Sequence, residues 1–561
     1  MATQNNVRVQ NITQECNQKE LDDLKAFDKL LLRQDVNVSG TEVAINEILA
    51  DNKVTTLEGL LSDGSKYKMK IPSNYNGIVF LYSHGYRFKF DVPKPIDPNG
   101  YVVNNEPDFN PATSATRKDD RAASYIFENF LLKRGVALIG SGFPVQGWNA
   151  IKGIESNKLL LDLFKSKYPQ TKKVVVHGSS LGSHIAQGFA EKYPDLVDAV
   201  GLYSYVGQVI EVLHTAGDVV WFLKTFFDGT LKCVNYKQNQ APEIEALEEI
   251  VKVKQILVTL SKPENLSKWS EDLTNLPPAG KQLKAAGVPP LLVILLMNYL
   301  TDLPDKSAHY DGVSLSIVVN KNYIHKTFTT IENIVEAAVL AVAAMQDVEA
   351  QCGGVIYDNS KVNFASRLSN TDREYFDFIK TDFNLDRDTV LNSILGVLAS
   401  PLAPRITANP EARLKCSTPN VPGSINIVQN IVRKPTIVVC GKYDNVTPVF
   451  GLKKLYNDVK KDPLASNKLL TLVVEASEKY TLFDGQTLPR SDVPAAQGTA
   501  HVNFSNNEWL SYLNLLLYSV ENNKKLEGDK LNNLLTTLPN NVLCNDEFIN
   551  TLPSSFYTKE L

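Results

Sequence analysis

The stretch KVVVHGSSLGSHIAQGFAEKYP (Lys173–Pro194) places three serines among glycines, between an apolar run and an amphipathic one. A hydroxyl nucleophile at the end of a buried strand must project above the sheet, and the chain must then turn at once into a helix. That turn is so tight that the residues two before and two after the nucleophile must be small. Only Ser180 meets this rule, flanked by Gly178 and Gly182. Ser179 and Ser183 lack glycines at both offsets. The alternative is a glycine-rich strand–helix turn without chemistry, since a bare G-x-S-x-G recurs by chance.

A serine hydroxyl is a weak nucleophile near neutral pH and needs a general base, with an acid to orient that base. The chain has seven histidines. His84 and His177 sit beside strand ends and read as structural or oxyanion-loop residues. His184 lies one turn beyond Ser180 on the same helix and points away from it. His214, His309 and His325 fall in a long helical region. His501, in QGTAHVNF, follows the last parallel strand and precedes the closing helix, so it is the candidate base. In KPTIVVCGKYDNVTPV a buried run ends at Gly441, and Asp444 follows at the turn. Asp444 is the candidate acid, against the simpler role of an Asx-turn or cap. Asp484 is the weaker alternative, nearer His501 in the chain. The order Ser180, Asp444, His501, each after its own strand, is that of a nucleophile-elbow hydrolase. Two backbone donors must hold a developing oxyanion. Leu181, just after the serine, supplies one, and Tyr86, in the turn of LYSHGYRF, the other.

The elements that must position these groups are legible from about Lys53. KVTTLEGLL and KYKMKIP around SDGS form a hairpin signal. GIVFLYSHGY, VALIGSGF, KKVVVHG and VDAVGLYS are short apolar runs with β-branched residues. Helical spacings separate them in DDRAASYIFENFLLKRG, AIKGIESNKLLLDLFKSKYP and LGSHIAQGFAEKYP. That alternation predicts a mostly parallel sheet with crossover helices. The pattern stops near Tyr205, gives way to mainly helical periodicity, and resumes at Lys434. Four divisions follow: an N-terminal extension (1–52), a core in two pieces (53–206 and 433–521), a helical insertion (207–432), and a helical or irregular appendage (522–561). In the insertion, the apolar stretches Pro289–Leu300 and Ile331–Met345 either line a pocket or form the insertion's own core. The acidic run Glu243–Ile250 reads as a solvated helix face.

Composition narrows the partners. Hydrophobic residues are 43%, charged residues 21%, and net charge is −4. That is ordinary for a globular protein, and no basic block points to nucleic acid. The six cysteines are far apart with no CxxC, so neither a zinc ribbon nor a redox motif is read. No metal or organic cofactor is required by the chemistry above. The N-terminus has no apolar h-region and no run is long enough for a transmembrane helix. The compartment stays open between cytoplasmic and secreted, the latter with a leader absent from this chain. Sequons at Asn11, Asn37 and Asn265 and the final TKEL are weak signals.

SHGY, HGSSLGS, KPTIVVCGKYDNVTP and GTAHVNF together resemble the α/β-hydrolase superfamily, over about Lys53–Tyr205 and Lys434–Val520. The resemblance implies an α/β-hydrolase fold, with the insertion serving as a cap over the pocket. The large helical insertion looks most like that of esterases and tripeptidyl-type aminopeptidases. The implied activity is hydrolysis of a carboxylic ester or short peptide through an acyl-enzyme. An aminopeptidase or amidase, a ligand binder and a non-hydrolytic cyclase on the same pocket are the alternatives. The long stretch between the last strand and His501 departs from the family's pattern.

Overall fold

A computed structural model describes residues 53–92, 101–109, 121–236, 242–265, 267–302, 321–475, 501–502 and 504–560. The hairpin β1 (Val54–Leu60) and β2 (Lys66–Pro72) leads to β3 (Ile78–Ser83). Three helix–strand units follow: α1 (Arg121–Lys133) with β4 (Ala137–Ser141), α2 (Ala150–Lys167) with β5 (Lys173–Ser179), and α3 (Leu181–Lys192) with β6 (Ala199–Tyr203). Between β6 and the next strand lie α4 (Val209–Phe226), α5 (Pro242–Ser261), α6 (Pro278–Ala285), α7 (Pro290–Leu300), α8 (Lys321–Cys352), α9 (Arg387–Leu398) and α10 (Pro410–Ser417). The sheet resumes with β7 (Thr436–Gly441), α11 (Phe450–Lys460) and β8 (Leu469–Val474). After α12 (Asn506–Asn522) come β9 (Asn541–Leu543) and α13 (Phe556–Glu560).

The nine strands form one sheet in the order β1-β2-β4-β3-β5-β6-β7-β8-β9. β1, β2 and β9 pair antiparallel with their neighbours, and the other pairs are parallel. This mostly parallel sheet flanked by helices is the architecture the sequence predicts. Successive side chains of a strand point to opposite faces, and the core divides accordingly. Val79 and Leu81 join Ile154, Phe164, Ile185 and Phe189 of α2 and α3. Ile78 and Phe80 join Phe127 and Phe130 of α1 and Trp509 and Leu516 of α12. With helices on both faces, β3 is buried at every residue, which is why its sequence runs apolar without alternation.

Two expectations are corrected. The last residues, read as helical or irregular, add a ninth strand: β9 pairs Leu543 with Leu472 and Asn541 with Val474. Three residues are too short to carry an alternation signal. The chain then reaches the inserted helices. The Phe556 N–H donates to Asp302 Oδ2 at 2.5 Å, and Glu560 pairs with Arg367 at 2.7 Å. The acidic run of α5 is not wholly solvated, because Glu249 is buried and accepts the N–H groups of Lys232 and Cys233. The sequon at Asn265, a weak signal in the sequence, sits on a buried side chain whose Nδ2 donates to the Thr259 carbonyl.

Of the two apolar stretches in the insertion, α7 is buried at every residue and belongs to the insertion's core. The second, in α8, reaches the site described below. The five described cysteines are free and buried. Among the described residues no helix is long and apolar enough to cross a membrane.

Candidate active site

Ser180 stands between β5 and α3 with φ 56° and ψ −130°. A left-handed φ is uncommon for a residue with a side chain and marks backbone strain held in place by its surroundings. Those surroundings are tight. A Cβ on Gly178 would lie 2.3 Å from the Gly182 carbonyl oxygen, and one on Gly182 would lie 2.0 Å from that of Ser83. The glycine spacing read from the sequence is therefore a packing requirement between the elbow and the end of β3. The Ser180 N–H donates to the Tyr203 carbonyl at 2.9 Å, and its own carbonyl accepts the Ser183 hydroxyl at 2.7 Å.

Asp444 follows β7 and is fully buried. The N–H groups of Val446 and Thr447 donate to its Oδ1 at 2.9 and 2.8 Å. His501 Nδ1 lies 3.0 Å from both carboxylate oxygens. Burial alone would raise the Asp444 carboxyl, but the His501 imidazole and the two backbone donors hold it below the usual range. An Nδ1–H given to this carboxylate leaves Nε2 as the proton acceptor, which is the tautomer a general base needs. Val502, next in the chain, has φ 55°, a second strained position beside the site.

Ser180, His501, Tyr86 and Leu181 line one cavity of about 320 Å³. Leu181 is the first residue of α3, so its N–H has no acceptor within the helix and is available to an anion. Asp444 stands behind His501 and does not line the cavity. Asp484 and His309 lie outside the described residues, and His325 lies in the part of α8 whose side chains are not described. His177 and His184 are buried, and burial pushes each imidazole down to about 3. His214 is buried against Asp218 and Arg367 within the insertion.

The sequence reading missed two groups that join the loops. Thr447 Oγ1 lies 3.0 Å from Asp444 Oδ2 and 3.1 Å from the Ser204 carbonyl, either of which accepts its proton. Ser204, at φ 43°, accepts the Val502 N–H on its hydroxyl at 3.1 Å. Together they tie the ends of β6 and β7 to the His501 segment. Ser204 directly follows β6 and Thr447 lies in the turn between β7 and α11, and small hydroxyl residues in such places are too common to single out. Arg87 was missed as well. It is buried in the cavity wall, donates through Nη1 to the carbonyls of Asn104 and Glu106, and lies 3.8 Å from Asp108.

No family model matches the chain. Over 174 residues it is 28% identical to an o-phthalyl amidase of Xanthobacter agilis, which covers 30% of this chain and 29% of the amidase. The chain thus spans less than a third of that relative's length. Among solved structures, an esterase of Pyrococcus furiosus overlaps 31% of this chain and 59% of its own, at 17% identity and a TM-score of 0.22. Feruloyl esterase B of Aspergillus oryzae overlaps 75% and 71%, at 12% identity and 0.30. An epoxide hydrolase of Vigna radiata overlaps 84% and 99%, at 12% identity and 0.29.

Proposed function

We propose that this protein is a serine hydrolase that cleaves a carboxylic ester through Ser180, His501 and Asp444. The observation that carries the reading is the strained Ser180 at a strand–helix turn, sharing one cavity with a histidine whose Nδ1 is 3.0 Å from a buried carboxylate. His501 Nε2 takes the Ser180 proton as Oγ attacks the substrate carbonyl. The N–H groups of Tyr86 and Leu181 receive the oxyanion. When the tetrahedral intermediate collapses, His501 gives its proton to the departing alcohol and an acyl-serine remains. Water, deprotonated by His501, then attacks the acyl carbon. The second collapse returns the proton to Ser180 and releases the acid. Asp444 orients the imidazole and stabilises its cation. Residues 53–206 and 433–521 form the catalytic core in this reading. Residues 207–432 act as its cap, because α4 and α8 contribute cavity walls.

The amidase match favours a second substrate type, an amide cleaved by the same steps with an amine as leaving group. Fluorophosphonate labelling of wild type beside Ser180→Ala, with the modified peptide identified by mass spectrometry, tests the nucleophile. Labelling confined to Ser180 is the expected result, and a folded wild type that resists every probe would sink the proposal. A matched ester and amide of one acyl group then separates the two substrate types.

A further inference from the structure

The cavity has two unlike walls. Its charged groups, Arg87 and Asp108, come from the segment after β3 and face each other at 3.8 Å. The opposite wall comes from the insertion. Val212, Leu213 and Val219 of α4 meet Leu340, Ala341 and Ala344 of α8, and Thr215 supplies the one side-chain hydroxyl among the described residues of that wall. Residues three and four apart share a helix face. Ala341 and Ala344 therefore recess the wall on the side where larger residues would fill it.

This wall is fastened beside the cavity. Asp347, one turn beyond Ala344, accepts the Trp148 N–H and pairs with Lys89 at 3.1 Å. Gln351 donates to the Trp148 carbonyl at 2.7 Å. A Cβ on Gly147 would lie 2.3 Å from Asp347 Oδ2, so the loop approaches the carboxylate as closely as glycine allows. Trp148 itself lines the cavity. The α8 wall is thus held to the core at the site, and a larger side chain on it takes up cavity space.

We infer that the site accepts a substrate with one uncharged apolar arm lodged between α4 and α8, and that Ala341 and Ala344 set the size of that arm. The chemistry rests on the hydrolase reading above; the binding does not. A charged arm finds no counter-ion on the described part of this wall, and burying an unpaired charge is strongly unfavourable. The volume is in the range of small-molecule sites, roughly 300–1,000 Å³.

Two ester series test this. One varies the acyl chain of p-nitrophenyl esters, and the other varies the alcohol of acetate esters. Each is read as kcat/KM on wild type, Ala341→Leu and Ala344→Leu. In one series wild-type kcat/KM should rise roughly fourfold per methylene before levelling, and that series identifies the arm. Each variant should have its optimum at a shorter chain, so that its kcat/KM on the wild type's best ester, divided by its kcat/KM on the two-carbon member, falls at least tenfold below the wild-type ratio. An arm ending in carboxylate should react at least tenfold more slowly than its methyl-ended equivalent. Flat dependence in both series, an unchanged optimum in both variants, or preference for the carboxylate overturns the inference. Calorimetric binding of straight-chain 1-alkanols to Ser180→Ala separates the two proposals. Length-dependent binding without turnover in wild type refutes the hydrolase and keeps the slot. Turnover with no length dependence does the reverse.

Discussion

The sheet edge and the inserted helices meet across one cavity but are held by different forces. At the edge, backbone does the positioning. Ser180 is set by glycine-to-carbonyl approaches, and Asp444 by two N–H donors from its own turn. The insertion is held by side chains. Its apolar helices pack on one another, and beneath them lies an ionic knot. Arg367, about 1% exposed at its side chain, pairs with Asp218 at 2.6 Å and donates to the Leu300 carbonyl at 2.5 Å. It also binds both oxygens of Glu560, near the chain's end. Asp218 belongs to α4, the same helix that lines the cavity. The difference teaches where change is tolerated. Backbone geometry leaves little room for substitution, whereas a side-chain wall admits residues of other sizes.

The largest expected effect separates rate from stability. Asp444→Asn should lower kcat by about 10⁴-fold, the loss seen when the triad acid is neutralised, with KM little changed. Steady-state kinetics and thermal unfolding, measured together, check that the loss lies in chemistry. Equal collapse of stability would mean that Asp444 serves the fold instead.

Arg367→Met should do the opposite. Leaving a buried carboxylate without its cation costs about 3 kcal/mol, while kcat of the folded fraction stays near wild type. Chemical denaturation reads the first and active-site-titrated kinetics the second. Restoring part of the loss with Asp218→Asn in the same chain would sharpen the assignment. A large fall in kcat under folding conditions would break the comparison, because the knot would then be acting on the site.

Gly182→Ala tests the backbone side. Its Cβ would meet the Ser83 carbonyl oxygen at 2.0 Å, and relief by backbone shifts should cost roughly 1–3 kcal/mol. Fluorophosphonate labelling should slow as well, since the elbow and the β3 turn move together. Unchanged labelling would show that the elbow has slack.

The smallest effect concerns pH. Burial pushes the Glu349 carboxyl up to about 8, with Glu249 adding to the shift. Its Oε2 accepts the Asn235 and Tyr236 N–H groups, while Oε1 is buried without a partner. A carboxyl raised on folding contributes stability fully present below its unfolded pKa, near 4.3, and lost as pH rises through 8. Wild-type unfolding free energy should therefore fall by roughly 1 kcal/mol per pH unit between pH 6 and 8 from this group. Glu349→Gln should flatten that slope. Identical slopes would show that the proton is not held there.

Much of the sheet edge was legible because its constraints are local. A buried strand must be apolar, an elbow must have glycines at fixed offsets, and a loop residue just past a strand lies near the edge whatever surrounds it. Those rules reach Ser180, Asp444, His501 and the elbow glycines from the order of residues alone. They do not reach Thr447 or Ser204, whose significance is a contact between loops more than two hundred residues apart. They miss Glu249 and Glu349, because charged helix positions are usually solvated and only the folded insertion buries these two. The two apolar stretches of the insertion looked alike, yet α7 became core and α8 a cavity wall. Periodicity reports that a helix has something to bury, not what it is buried against.

By itself, then, the sequence determined which residues could form a nucleophile, an acid and a base, and the alternation that makes a parallel sheet. These depend on neighbours along the chain. The tertiary structure decided the rest: the 3.0 Å approach of His501 to Asp444, the ninth strand, the tail's grip on Arg367, and the alanine-lined wall of the cavity that Ser180 shares. Each joins segments distant in sequence, so each is set by how packed surfaces fit together.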